Sequence, residues 1–115
     1  RKHRSKFRQL CVGGDNMYRG STPTLTFTLP FSTVDIDNAY VTFAQYGTVK
    51  IDKPLTACGC DGNKLTVKLT QEETLSLRCG CSVEMQVSVR IGENVMRSQI
   101  ITTTVERILK ETVIE

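Results

Sequence analysis

The feature that most limits how this chain can fold is a recurring alternation of polar and apolar residues. Thr24-Leu25-Thr26-Phe27-Thr28-Leu29 puts Leu25, Phe27 and Leu29 on one face of a strand and the threonines on the other, because successive side chains of an extended chain point to opposite sides. Pro30, which has no N–H to give a ladder, ends the run. Ala39 to Gln45 alternates again, Tyr46-Gly47 is a turn signal and Thr48 to Asp52 returns, so residues 39–52 read as a hairpin closed by Lys53-Pro54. After the Asp61-Gly62-Asn63 turn, Lys64 to Leu69 points Leu65, Val67 and Leu69 inward. Val83 to Arg90 repeats the pattern, Gly92-Glu93-Asn94 reverses the chain, and Val95 to Val105 is expected to complete a second hairpin, rich in β-branched residues.

One helical signal interrupts the strands. Thr70-Gln71-Glu72-Glu73 fits a capping box, with the Thr70 hydroxyl accepting from the backbone and Glu73 reaching back, and predicts a short helix over Gln71 to Leu77. The tail from Glu106 to Glu115 keeps apolar spacing at Ile108, Leu109, Val113 and Ile114 and fits either a last strand or a short helix. Five to seven short strands around one helical turn predict an all-β fold: an antiparallel β-sandwich of immunoglobulin-like size over residues 17–115. The chain has no Trp, so the Cys, Trp, Cys pattern of true immunoglobulin domains is missing and the expectation stops at architecture.

With 115 residues, 39% hydrophobic, the chain has room for one core. No apolar run approaches the ~20 residues of a membrane helix, and no signal-peptide core follows the basic start, which points away from membrane insertion and secretion. Residues 1–16 hold Arg1, Lys2, Arg4, Lys6 and Arg8 against Asp15, more than the whole formal net charge of +3. This segment reads as a solvated basic arm; a nucleic-acid or membrane-surface tether that neutralises phosphates is the alternative. A third reading concerns the code. Gly13-Gly14-Asp15-Asn16 can be written as a purine-rich ribosome-binding run ahead of Met17, which would make residues 1–16 translated leader and Met17 the natural start. Native peptides spanning Arg4 to Gln9 would refute it.

The sharpest local motif is Cys58-Gly59-Cys60 followed by Cys79-Gly80-Cys81. If both triplets are extended and meet, four sulfurs converge as tetrahedral zinc requires, but Cys-x-Cys is a weaker signal than the Cys-x-x-Cys of structural zinc ribbons. Disulfides between neighbouring strand ends are the second alternative, against which the fifth cysteine, Cys11, leaves an odd count. The default is that the thiols are reduced and pack as small apolar residues, with no cofactor bound.

Enzyme chemistry finds little to stand on. The single His3 lies in the basic arm, so no Ser-His or Cys-His pair can be assembled on residues 17–115. Asp35-Ile36-Asp37-Asn38 lacks the remaining positions of an EF-hand loop and reads as a solvated cap for the next strand. Glu72 and Glu73 sit at a helix start, where carboxylates complement the dipole. Phe27, Phe31, Phe43 and Tyr40 fall on or beside predicted strands and read as core or sandwich-edge residues rather than a base-stacking platform.

Several segments together carry a resemblance: Met17-Tyr18-Arg19-Gly20-Ser21-Thr22-Pro23-Thr24, Phe27-Thr28-Leu29-Pro30-Phe31, Val41-Thr42-Phe43-Ala44-Gln45, Lys68 to Leu75 and Gln86-Val87-Ser88-Val89-Arg90. From Met17 to about Ile114 the chain resembles a family of small proteins encoded in the virion structural region of phages and prophages of Firmicutes. Members of that family begin at the equivalent of Met17, so the preceding sixteen residues depart from its pattern. The resemblance implies a non-enzymatic virion or tail-associated protein, present in the host cytoplasm during assembly and then in the particle. Its partners would be other phage structural proteins and further copies of itself, with no membrane or nucleic acid. Small β-sandwiches serve such roles by strand-edge pairing or loop packing in symmetric arrays. Tyr18 and Arg19, of residue types that interfaces favour, are the candidate contact. The alternatives are a small regulatory or nucleic-acid-binding protein using the arm, and a zinc-stabilised binding module.

Overall fold

A computed structural model describes residues 11–14, 17, 18, 20–106 and 114. It is an antiparallel β-sandwich, as the alternation predicts. Among the described residues it contains nine strands: β1 (Cys11–Gly14), β2 (Thr24–Thr28), β3 (Asn38–Gln45), β4 (Thr48–Pro54), β5 (Gly59–Asp61), β6 (Lys64–Lys68), β7 (Ser82–Ile91), β8 (Asn94–Arg97) and β9 (Ile101–Thr104). One sheet has the order β1-β2-β6-β5. The other runs β4-β3-β7-β8, with β9 also paired to β7. The chain changes sheet through a 3-10 turn at Thr33–Asp35, another at Leu55–Ala57, and the helix α1 (Gln71–Leu75).

The inward halves of the alternating runs meet between the sheets. Leu25, Phe27, Leu65 and Val67 come from the first sheet; Val41, Phe43, Ile51, Val83, Met85, Val87 and Val89 come from the second, all buried. Tyr46 and Gly47 both take positive φ, 53° and 74°, the backbone that a two-residue hairpin needs to match the strand twist between β3 and β4. The capping box forms: Glu73 N–H donates to Thr70 Oγ1 at 3.1 Å, and Thr70 N–H to Glu73 Oε1 at 2.9 Å. The helix ends two residues earlier than expected, at Leu75.

Three expectations are corrected. The first is the boundary at Met17. Cys11–Gly14, assigned to the arm or leader, is an edge strand paired with β2 in the register Cys11↔Thr28 to Gly14↔Leu25. Gly14 is required there, because its φ is 118° and a Cβ would lie 2.2 Å from the Thr24 carbonyl oxygen. The second is the run Val95 to Val105, which is not one strand. Between the pairs Ser88↔Arg97 and Met85↔Ile101 the outer chain carries one residue more than β7, so the ladder must bulge. Ser98, buried, fills the gap by accepting from Val87 N–H through its hydroxyl at 3.0 Å while its own N–H donates to the Val87 carbonyl. The third is Tyr40, expected in the core or at the sandwich edge: it lies on the outward face of β3, an inner strand of its sheet, and is 42% exposed. Most of the tail lies outside the described residues; Ile114 is held by its backbone, which exchanges two hydrogen bonds with the Gln71 side-chain amide.

Candidate functional site

The two cysteine triplets do not converge. Cys58 follows β4 and donates to the Pro54 carbonyl at 3.3 Å, and Pro54 pairs with Tyr40 near the start of β3. Cys81 Sγ instead shares a 2.7 Å hydrogen bond with Tyr46 Oη, beyond the other end of β3, roughly 20 Å away along that strand. Only the first triplet enters a strand; Cys79-Gly80-Cys81 is a turn in which Gly80 has φ 74°. Among the described residues no three His, Cys, Asp or Glu side chains gather as a metal would need, and Cys58, Cys60, Cys79 and Cys81 are free thiols. Cys58 packs against the core, and burial, followed by the neighbouring Cys60, raises its thiol above the ordinary value against the opposing pull of Lys53. Cys60 is exposed on β5.

At the tip of the β3–β4 hairpin the Arg78 guanidinium sits 5.9 Å from the centroid of the Tyr46 ring, which is 73% exposed. The hydrogen bond and charge of Cys81 hold the Tyr46 hydroxyl above its usual value, while Arg78 pulls the other way. Behind this tip Gln45, 1% exposed, ties the loop to the sheet. It accepts from Arg78 N–H at 2.8 Å and donates to the Arg78 carbonyl at 3.0 Å, so a side chain completes what a ladder would otherwise do.

Two of the carboxylates singled out in the sequence, those of Asp37 and Glu73, have structural partners. Asp37 accepts from Gly92 N–H at 2.6 Å and stands 3.9 Å from Arg90, while Asn38 accepts from Ala39 N–H, so this loop caps β3 and braces the β7–β8 hairpin. Glu73 receives both the Thr70 N–H and the Lys53 ammonium, the latter 3.0 Å from each oxygen. Burial pushes its carboxyl up, but the Thr70 and Lys53 hydrogen bonds and the Lys53 charge win and hold it below the usual range.

Of the predicted contact residues, Tyr18 is 44% exposed, and its carbonyl accepts from both Ser21 N–H and Ser21 Oγ. Arg19 and the basic residues Arg1, Lys2, Arg4, Lys6 and Arg8 lie outside the described residues. Among the described residues, the strand edges are poorly suited to pairing with another chain. β1 and β5 are four and three residues long, β4 carries Lys50, Lys53, Pro54 and a register shift, and the far edge is broken between β8 and β9. A cleft of ≈ 190 Å³ opens between β1 and β9, lined by Val12, Leu25, Met85 and Ile101 with no ionisable side chain among the described residues.

The outer face of the second sheet is different. Cross-strand rows Tyr40–Ser88–Arg97 and Asn38–Arg90–Val95 surround a groove of ≈ 230 Å³. Ser88, the smallest of these side chains, forms its floor; its hydroxyl accepts from Arg97 Nη1 at 3.1 Å and fixes the guanidinium at the rim. The alternation of β7 already places Ser88 and Arg90 outward, but which residues flank them depends on strand register, which periodicity alone does not supply. No protein-family profile matches the chain, and no curated protein matches it.

Proposed function

We propose that this chain is a non-enzymatic structural or assembly module of a bacteriophage particle, acting by protein–protein contact. The observation that carries the contact part is the groove on the second sheet: an exposed Tyr and two Arg, the residue types that dominate binding hot spots, stand on a rigid strand scaffold. Two neighbours support the reading by positioning the arginines: Ser88 Oγ accepts from Arg97 Nη1, and Asp37 stands 3.9 Å from Arg90. The phage context rests on the resemblance of the Met17–Thr24, Phe27–Phe31, Val41–Gln45, Lys68–Leu75 and Gln86–Arg90 segments to virion-region proteins. In this reading the partners are other virion proteins and copies of the chain itself, met in the host cytoplasm during assembly and retained in the particle.

The test is a stop codon early in the gene of the producing phage, with particles examined by electron microscopy. Incomplete or non-infective particles, restored when the intact chain is supplied in trans, are expected. Normal, infective particles without the chain would overturn the proposal.

A further inference from the structure

The outer face of the second sheet is complementary to itself. Along β7 the outward residues are Ser82, Glu84, Gln86, Ser88 and Arg90. Glu84 stands between Ala44 on β3 and Thr102 on β9, so it projects from small neighbours. Ser88 lies between Tyr40 and Arg97, so it is a hollow between large ones. Knob and hollow are four residues apart on one strand, about 13 Å. Their midpoint is Gln86, whose amide is folded down onto the Ser98 carbonyl at 2.8 Å.

A two-fold axis through Gln86, lying in the plane of the face and across the strands, stacks β7 antiparallel on the β7 of a second copy. Glu84 of each copy then enters the groove of the other, above Ser88. Stacked sheets cross at about 30°, which displaces Glu84 sideways by only about 3 Å, within the span of a guanidinium. Among the described residues neither Glu84 nor Arg97 has an ion-pair partner, and Arg97 uses one donor on Ser88, leaving the rest of its fork for a carboxylate. Between these poles Thr42, Ala44 and Gln86 keep the surface low enough for close approach.

From this shape and charge pattern we infer that the outer face of β3, β7 and β8 is an isologous dimer surface, in which Glu84 of a second copy seats between Tyr40, Ser88 and Arg97. The inference rests on the reading that the chain works by protein–protein contact, and it names the surface and the partner. The eight-residue β3 and four strand positions give a footprint of roughly 400 Å² per copy before side-chain relief, at the small end for specific association. The dimer is therefore reversible and gains its persistence from arrayed copies.

Sedimentation equilibrium of the purified full-length chain over a wide concentration range tests it, with circular dichroism confirming that each variant is folded. The wild type is expected to associate reversibly to a dimer. Glu84→Arg and Arg97→Glu each place like charges together twice per dimer and should weaken association about tenfold or more. The double variant, with the charges exchanged, should recover it. A wild type that stays monomeric throughout, a single reversal that leaves association unchanged, or a double variant no better than its parents would each overturn the inference. None of these results alters particle formation in the stop-codon experiment, so the two proposals fail separately.

Discussion

Glu73→Gln isolates the charge in the capping box. Gln still offers an oxygen to Thr70 N–H, so the cap's geometry survives, while the attraction to Lys53 is lost. In the native domain the two Lys53 contacts are 3.0 Å and the side chains are 14% and 29% exposed, buried enough to fix the pair and wet enough to screen it. Replacing a charge-assisted bond by a neutral one under such screening costs about 1 kcal/mol. For a domain of this size that is a drop of roughly 5 °C in Tm near neutral pH. The sign of the pH dependence follows from the direction of the shift. Glu73 titrates below its ordinary 4.5 when folded, so its contribution is complete above 4.5 and is lost as pH falls through 4.5 and then through the lower folded value. The gap between wild type and variant, followed by thermal melts from about pH 7 to about pH 3, should stay constant down to about pH 5 and close below it. A gap that persists unchanged at the acid end would refute the ionic account, because a packing or helix-propensity effect does not titrate.

Gln45→Leu keeps volume but strands the Arg78 N–H and carbonyl, and should cost about 3 kcal/mol in urea unfolding; a loss under about 0.5 kcal/mol would show that the staple is dispensable. Gly14→Ala forces a Cβ against the Thr24 carbonyl at a positive φ, and should cost about 1–3 kcal/mol while speeding amide exchange in β2. Unchanged exchange there would mean that β1 is not part of the sheet. Thiol labelling at mildly alkaline pH should modify exposed Cys60 well before Cys58, whose thiol is raised by burial. Equal rates would contradict that placement.

Wherever one face of a strand is buried and the other wet, the sequence announces it, and β2, β3, β6 and β7 were legible for that reason; β4, in which only Ile51 is buried, was legible from the Tyr46-Gly47 turn before it. The cap of α1 was legible because two side chains and two backbone groups form a local circuit that needs no tertiary context. β5 was hidden because all three of its residues are exposed, and β1 because two of its four residues are glycines beside a basic run. The break between β8 and β9 was hidden because Ser98 substitutes a hydroxyl for a backbone acceptor, which no period reveals. Convergence of the cysteines required two extended triplets, but Gly80 turns the second one back. The groove was half visible: the outward residues of β7 follow from alternation, while the Tyr40–Ser88–Arg97 row exists only once β3, β7 and β8 are in register.

The central claim is that this chain is built into a particle. Its most direct test is quantitative mass spectrometry of purified phage particles from the source, counting the tryptic peptide Leu69–Arg78 against a known structural protein. The account predicts a fixed number of copies per particle, constant between preparations. Particles that lack the peptide while the surrounding lysate contains it would contradict a place in the virion.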